Sequence, residues 1–380
     1  MKGSVKKRGK TWRIIVDIGR DENGKRQQKW YSGFATRRAA EAKLTEIKAS
    51  LQSGEYVEPS KRTLGAFLVK EWLPSIAASV RPSTSTAYKM ICDKRIVPTL
   101  GSVPLQQLSA DQLNKLYAQL LANGRTKSKG ALSPRSVRYV HATIHKALSD
   151  AVKWQKIPRN VADSATPPRR QSKKPKTWTA SELRTFLEHV EGGRLYAAYL
   201  LAASTGLRRG ELLGLRWRDV DMEAGSLAVV QTLLQVNNKL DFGTPKTEKG
   251  SRNVWLDTHT VAALRSHRRT QVAERLAWGP EYQDNDLVFA REDGTPIHPD
   301  GFGRTFARHA KAAALPTIRL HDLRHTHATL ALQAGIPAKV VSERLGHASI
   351  SITLDIYSHV LPGMQEEAAQ TVADLVFANG

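Results

Sequence analysis

Apolar and polar positions along the 380 residues fall into three stretches with different periods. Near the N-terminus WRIIVDIGR alternates at period two, DENG supplies an Asn-Gly turn signal and KRQQKWYSG reads as a returning strand. That pattern predicts a hairpin within a sheet of two or three strands. Thr36 can cap a helix whose apolar positions Ala40, Leu44, Ile47 and Leu51 recur at helical spacing and which stops near Gly54.

From residue 63 the period changes to 3.6. LGAFLVKEWLPSIAA, SADQLNKLYAQLLANG and SPRSVRYVHATIHKALSDAVKW all carry helical stripes, with Ser109 and Ser133-Pro134 in cap and first-turn positions. This stretch predicts an all-α domain. DSATPPRRQSKKPKT, rich in Pro, Lys and Arg, has the composition of a linker. Beyond it Thr179-Ala180-Ser181-Glu182 forms a capping box, and the apolar helix LYAAYLLAASTG follows. SLAVVQT and RNVWL read as strands around a polar hairpin containing GTPKTEKGS, and LVFA as a further short strand. HDLRHTHATLALQAG and PAKVVSERLGH read as helices, with Gly335 as a C-terminal stop. The expected architecture is therefore multidomain: a small α+β module over residues 1–62, an all-α domain over 63–163, a basic linker over 164–177, and a mixed, mainly α domain with a small antiparallel sheet over 178–380.

Charge sharpens this division. The chain carries a formal +23, distributed as +9 over residues 1–62, +15 over 63–176 and −1 over 177–380. A polyanion is the natural partner of the first half, whereas the balanced second half must be read by its motifs. Lys127, Lys129, Arg135, Arg138, Lys146, Lys153 and Lys156 are candidate phosphate contacts on the polar faces of the second segment. Cys92 is the only cysteine, so an internal disulfide, a cysteine-based zinc site and an iron–sulfur cluster are excluded. No run of eighteen apolar residues occurs, and the basic N-terminus lacks an apolar signal core. A soluble, cytoplasmic protein with no membrane partner is expected.

HDLRHTH at 321–327 poses the chemical question. His321 and His325 share a helix face at the spacing of the HExxH zinc motif. Yet Asp322 stands where that motif has its glutamate, and Arg324 would put a fixed positive charge beside the metal. A guanidinium suits an oxyanion, to which it presents a planar fork of donors. Phosphate is favoured over metal on these grounds, while His325 and His327 can equally be packed, hydrogen-bonded helix residues.

STGLRRGELLGLRW at 204–217, the Lys246 hairpin, HDLRH at 321–325, RLGH at 344–347 and DIYSH at 355–359 occur in this order. In them the third segment resembles the tyrosine recombinases, the phage integrase family. Each motif alone is unremarkable; the set is specific. The resemblance implies that Arg208 and Arg324 hold a scissile phosphate, that Lys246 protonates the leaving 5′ oxygen, and that Tyr357 is the nucleophile. His321 and His347 would complete the pocket through proton transfer and hydrogen bonds. Glu211 is expected to orient Arg208, and Arg209 to be solvated or to contact backbone. A phenol with a pKa near 10 is about one part in a thousand ionised at neutral pH, so Tyr357 needs cations or a base such as His321 beside it. No metal, cofactor or ATP is then required, because a 3′-phosphotyrosine conserves the energy of the broken linkage.

The resemblance further implies that the first module binds arm-type sites and the helical, SAM-like domain binds core sites on double-stranded DNA. A homotetramer on DNA, served by host or element-encoded accessory DNA-bending and directionality factors in the bacterial cytoplasm and nucleoid, would carry out integration and excision. Leu361, Met364, Ala368, Val372 and Leu375 form a stripe that would pack on a neighbouring subunit or on its own domain. A type IB-like topoisomerase, a non-catalytic architectural DNA-binding protein and a metallohydrolase are the alternatives.

Overall fold

The computed structural model describes residues 3–20, 24–52, 56–125, 130–169, 175–236, 239–245, 250–357 and 364–377. The chain divides into two compact units, residues 1–171 and 172–380.

The first unit opens with three antiparallel strands, β1 (Gly3–Arg8), β2 (Thr11–Arg20) and β3 (Arg26–Phe34), in that spatial order. The period-two pattern turns Ile14 and Val16 inward, where Ala40, Leu44 and Ile47 of α1 (Arg37–Gln52) meet them in a small core. Thr36 accepts the Ala39 amide at the head of α1, as its position in the sequence predicts.

A separate apolar cluster holds the helical part together. Helical turns cover Leu64–Phe67, Leu68–Trp72 and Leu73–Ala77, then Pro82–Ile91, Cys92–Ile96 and Val97–Leu100. The two long helices are α2 (Ala110–Asn123) and α3 (Pro134–Lys153), capped by Ser109 and Ser133. On α3 Val137, Val140, Ile144, Ala147, Leu148 and Ala151 are buried at three- and four-residue spacing. The buried Asp150 accepts the Trp72 indole N–H at 2.8 Å and the Lys146 ammonium at 2.7 Å, so Lys146 is engaged inside the fold as well as half exposed. Arg138 donates to the Pro168 carbonyl, and Lys127 and Lys129 lie outside the described residues. Cys92 is fully buried, and burial pushes its thiol up to about 12, which leaves it a core residue.

In the second unit the Thr179–Glu182 capping box opens α4 (Ala180–Val190), followed by the all-round apolar α5 (Tyr196–Thr205) and the short α6 (Arg209–Leu213). Strands β4 (Val220–Asp221), β5 (Ser226–Val229) and β8 (Arg252–Trp255) form one small antiparallel sheet, and β6 (Thr232–Val236) with β7 (Lys239–Gly243) forms a separate hairpin. Helices α7 (Thr258–Trp278), α8 (Pro299–Ala312), α9 (Asp322–Gln333), α10 (Ala338–Leu345), α11 (Ile350–Tyr357) and α12 (Met364–Phe377) complete it. Trp178, Phe186, Tyr199, Phe302 and Phe306 pack ring against ring at the centre.

One expectation fails. LVFA at 287–290 makes only isolated bridges, Leu287 to Arg216 and Ala290 to Pro296. All four residues are buried, so the apolar run is real, but the Val288 amide is spent on the Leu215 carbonyl, on a loop that belongs to no sheet. Among the described residues no helix is long and apolar enough to cross a membrane.

Candidate functional site

Two helix ends make the site. The last carbonyls of an α-helix lack intrahelical partners and carry the negative end of its dipole, so they attract cationic donors. Helix α5 stops because Gly206 takes a left-handed conformation, φ 65°, and α10 stops the same way at Gly346, φ 65°. In α10 the His347 amide reaches back to Ser342 O and the Gly346 amide to Glu343 O, the paired bonds of a Schellman motif. This explains why the sequence reads Leu-Gly-His there: a buried leucine, a glycine able to reverse the chain, and the first residue beyond the turn.

Around these ends gather the cations. Arg324, on α9 and only 4% exposed, donates to Gly206 O and to Leu345 O, both at 2.7 Å, and so joins the two helix ends. Arg208, the residue that precedes α6, donates from Nη2 to Gly346 O at 2.9 Å and from Nη1 to Glu211 Oε1 at 2.6 Å. Its side chain keeps 40% exposure, whereas Glu211 is buried. Burial alone would raise the Glu211 carboxyl, but Arg252 and then Arg208 outweigh it and hold the group below the ordinary carboxylate range. Arg344 donates to Ser204 O, and His327 Nδ1 to Ala203 O. Arg209 turns instead to Pro299 O and Asp300.

The histidines are kept neutral. His347 lies against the buried Thr353 hydroxyl through Nδ1 at 2.8 Å, and burial followed by the charges of Arg324 and Arg208 pushes it down to about 4. The His321 ring meets His325 edge to face, 5.4 Å between centroids. His321 is also pushed down to about 4, first by the protein packed around the ring and then by His325 and Arg324, although its outer edge faces solvent. Asp322 is held below the ordinary range, because its bonds with Arg319 outweigh the opposing effect of burial. Among the described residues no three His, Cys, Asp or Glu side chains form a set able to hold a metal ion.

Of the six residues singled out from the sequence, the fold brings Arg208, Arg324 and His347 together on the LGH turn, with His321 at the head of the helix that carries Arg324. Tyr357 is the last residue of α11, one turn after Thr353, and its side chain lies outside the described residues. Lys246 also lies outside them, between β7 and β8. Sequence reasoning passed over Arg252 and Arg344, which reach Glu211 and Ser204 at 41 and 140 positions' distance along the chain, and Thr353, which stands six residues after His347 and outside the quoted motifs.

Comparison with known proteins gives a consistent picture. Residues 176–364 match the phage integrase family, residues 4–51 an arm DNA-binding domain, and residues 65–121 the N-terminal SAM-like domain of phage integrases. A "Tyrosine recombinase XerC-like" protein of Caldanaerobacter subterraneus subsp. tengcongensis is 32% identical, over 98% of this chain and 98% of its own length. The fold is shared with the Tn1549 transposon integrase in complex with transposon right end DNA, at a TM-score of 0.68 and 21% identity over 82% of this chain and 99% of that one. It is shared also with a lambda integrase tetramer bound to a Holliday junction, at a TM-score of 0.56 and 19% identity over 92% of each chain.

Proposed function

The chain belongs to the phage integrase family of tyrosine recombinases, and we propose that it is a site-specific DNA recombinase that integrates and excises a phage genome or other mobile element. The observation that supports the mechanism is the convergence of Arg208, Arg324 and His347 on one helix end, to which α11, the helix that ends at Tyr357, is joined by the His347–Thr353 contact.

A DNA phosphate seated there meets two guanidiniums whose positions are fixed before it arrives. Such preorganised donors stabilise the charge that grows as phosphorus becomes five-coordinate. Tyr357 attacks phosphorus, Lys246 protonates the departing 5′ oxygen, and a 3′-phosphotyrosine joins protein to DNA. The neutral imidazoles of His321 and His347 exchange hydrogen bonds with the phosphate oxygens and the phenol. The phosphate's negative charge offsets the arginines that depress them, so their basicity rises when substrate binds. Attack by a second 5′ hydroxyl reverses the chemistry on a new strand.

The rest of the chain serves placement on DNA. Residues 1–62 act as the arm-site module and residues 63–163 as the core-site domain, 164–177 link them to the catalytic residues 178–380, and the excess positive charge of the first half supplies the phosphate contacts. A homotetramer on DNA in the bacterial cytoplasm, assisted by accessory DNA-bending and directionality factors, completes the reading.

The test is trapping on nicked suicide duplexes. A covalent protein–DNA band that forms in EDTA and is lost in Tyr357→Phe supports the reading. Relaxation of plasmids lacking target sites would instead favour a topoisomerase, binding without any adduct an architectural protein, and activity abolished by EDTA a metallohydrolase.

A further inference from the structure

We infer that Arg252 is a positioning residue for strand cleavage, acting through Glu211 to fix Arg208 and through the end of α10 to fix the LGH turn. The inference rests on the reading above, in which Arg208 contacts the scissile phosphate.

Arg252 opens β8, and its side chain is only 7% exposed. All three guanidinium nitrogens are engaged. Nε donates to Arg344 O at 2.7 Å, Nη1 to Gly250 O at 3.0 Å and Nη2 to Glu211 Oε2 at 3.0 Å. The other Glu211 oxygen accepts from Arg208 Nη1, and Arg208 Nη2 donates to Gly346 O, two residues beyond Arg344. The contacts therefore close a ring: Arg252, Glu211, Arg208, Gly346, then back along the backbone to Arg344 and Arg252.

Closure has a physical consequence. Glu211 could not hold Arg208 alone, because a carboxylate this deeply buried needs compensating cations to stay ionised, and Arg208 remains partly in water. Arg252 is the dry partner that keeps Glu211 charged. The carboxylate then restrains a long side chain that would otherwise give up considerable rotamer freedom on meeting the phosphate. Gly250, the third acceptor, is the first described residue after Lys246, so Arg252 also holds the backbone at that point of the chain. Lysine cannot replace it fully: an ammonium is a point charge and lacks the planar fork that meets three separate acceptors.

The test is single-turnover cleavage at saturating DNA. The probe is a nicked duplex whose core sequence is selected from a random library by binding to the wild-type chain, with the nick placed at each position in turn. Arg252→Gln should slow cleavage by about 10 to 100-fold, the scale typical of groups that orient a contacting residue. DNA affinity should stay within about threefold, and Arg252→Lys should recover part of the rate. Adding Arg252→Gln to Glu211→Gln should cost less than about threefold more, because both changes break one ring. A folded Arg252→Gln that cleaves at the wild-type rate overturns the inference, and so do fully multiplicative effects in the double variant. If Arg252→Gln melts below the assay temperature, Arg252→Lys enters the same cycle under the same criteria. Failure of the wild-type chain to form any adduct would count against the recombinase reading itself, a separate outcome.

Discussion

Arg208 and Arg324, 116 positions apart in sequence, donate to adjacent carbonyls of one helix end, Gly346 and Leu345. The two side chains differ in surroundings, since Arg208 is two-fifths exposed and Arg324 is buried. One is therefore chiefly a contact for substrate, and the other holds the site together as well.

Alanine at each position should separate these roles. Arg208→Ala is expected to reduce cleavage by about 10² to 10³-fold with a smaller loss of thermal stability than Arg324→Ala, since it strands one carbonyl, Gly346 O, and leaves Glu211 paired with Arg252. Arg324→Ala should match that loss and also destabilise the catalytic unit, because it strands the Gly206 and Leu345 carbonyls at about 1 to 3 kcal/mol for a buried unpaired group. Melting curves of the two variants, read beside their cleavage rates, decide the matter; identical melting would contradict the distinction.

The glycine that ends α5 should be less tolerant than the one that follows α9. Both have positive φ, 65° at Gly206 and 78° at Gly335. A Cβ at Gly206 would stand 2.5 Å from Leu345 Cδ2 and 3.1 Å from the His327 ring, whereas at Gly335 nothing lies within 4 Å. Gly335→Ala is expected to cost about 1 to 2 kcal/mol, the left-handed penalty alone. Gly206→Ala adds overpacking of roughly 1 to 3 kcal/mol and displaces the helix ends that the arginines bind. Comparable melting shifts for the two would count against this account.

Acid should weaken the fold before it protonates the carboxylates. His327 and His347 are pushed down to about 4 from the ordinary 6.5, in both cases first by burial. Between those values the unfolded chain binds protons that the native chain does not, so stability rises with pH. Their contribution is complete above about 6.5 and is lost as pH falls towards 4. Melting temperature should accordingly drop across that window, and by less in His327→Gln; a flat profile from pH 7 to 4.5 would contradict the assignment.

The tail should matter more for pairing sites than for finding one. In α12 Val372, Val376 and Phe377 are exposed, and Leu361, Met364, Ala368 and Leu375 of the sequence stripe lie outside the described side chains. Deleting residues 362–380 is expected to reduce formation of two-site complexes several-fold more than binding to a single site, as measured by gel shift on one-site and two-site DNA. Equal losses would point to packing of the tail on its own domain.

Local signals carried most of the fold. Ser109, Ser133 and Thr179 cap the helices their positions announce, and the change from period two to 3.6 separates sheet from bundle. The motif glycines mark the two chain reversals that form the site. LVFA misled because burial and strand pairing are different properties: a short apolar run records the first and says nothing of the second. Arg252 was illegible for a related reason. Apart from the neighbouring Gly250 carbonyl, its partners are a carboxylate 41 positions away and a carbonyl 92 positions away, and no periodicity links them.

The most direct test is to identify the atom that carries DNA. After reaction with a suicide duplex and exhaustive nuclease and protease digestion, the phosphonucleotide should be found by mass spectrometry on Tyr357 alone, joined through the 3′ phosphate, and should vanish in Tyr357→Phe. An adduct on another residue, a 5′ linkage, or a covalent species that persists in Tyr357→Phe would contradict the account.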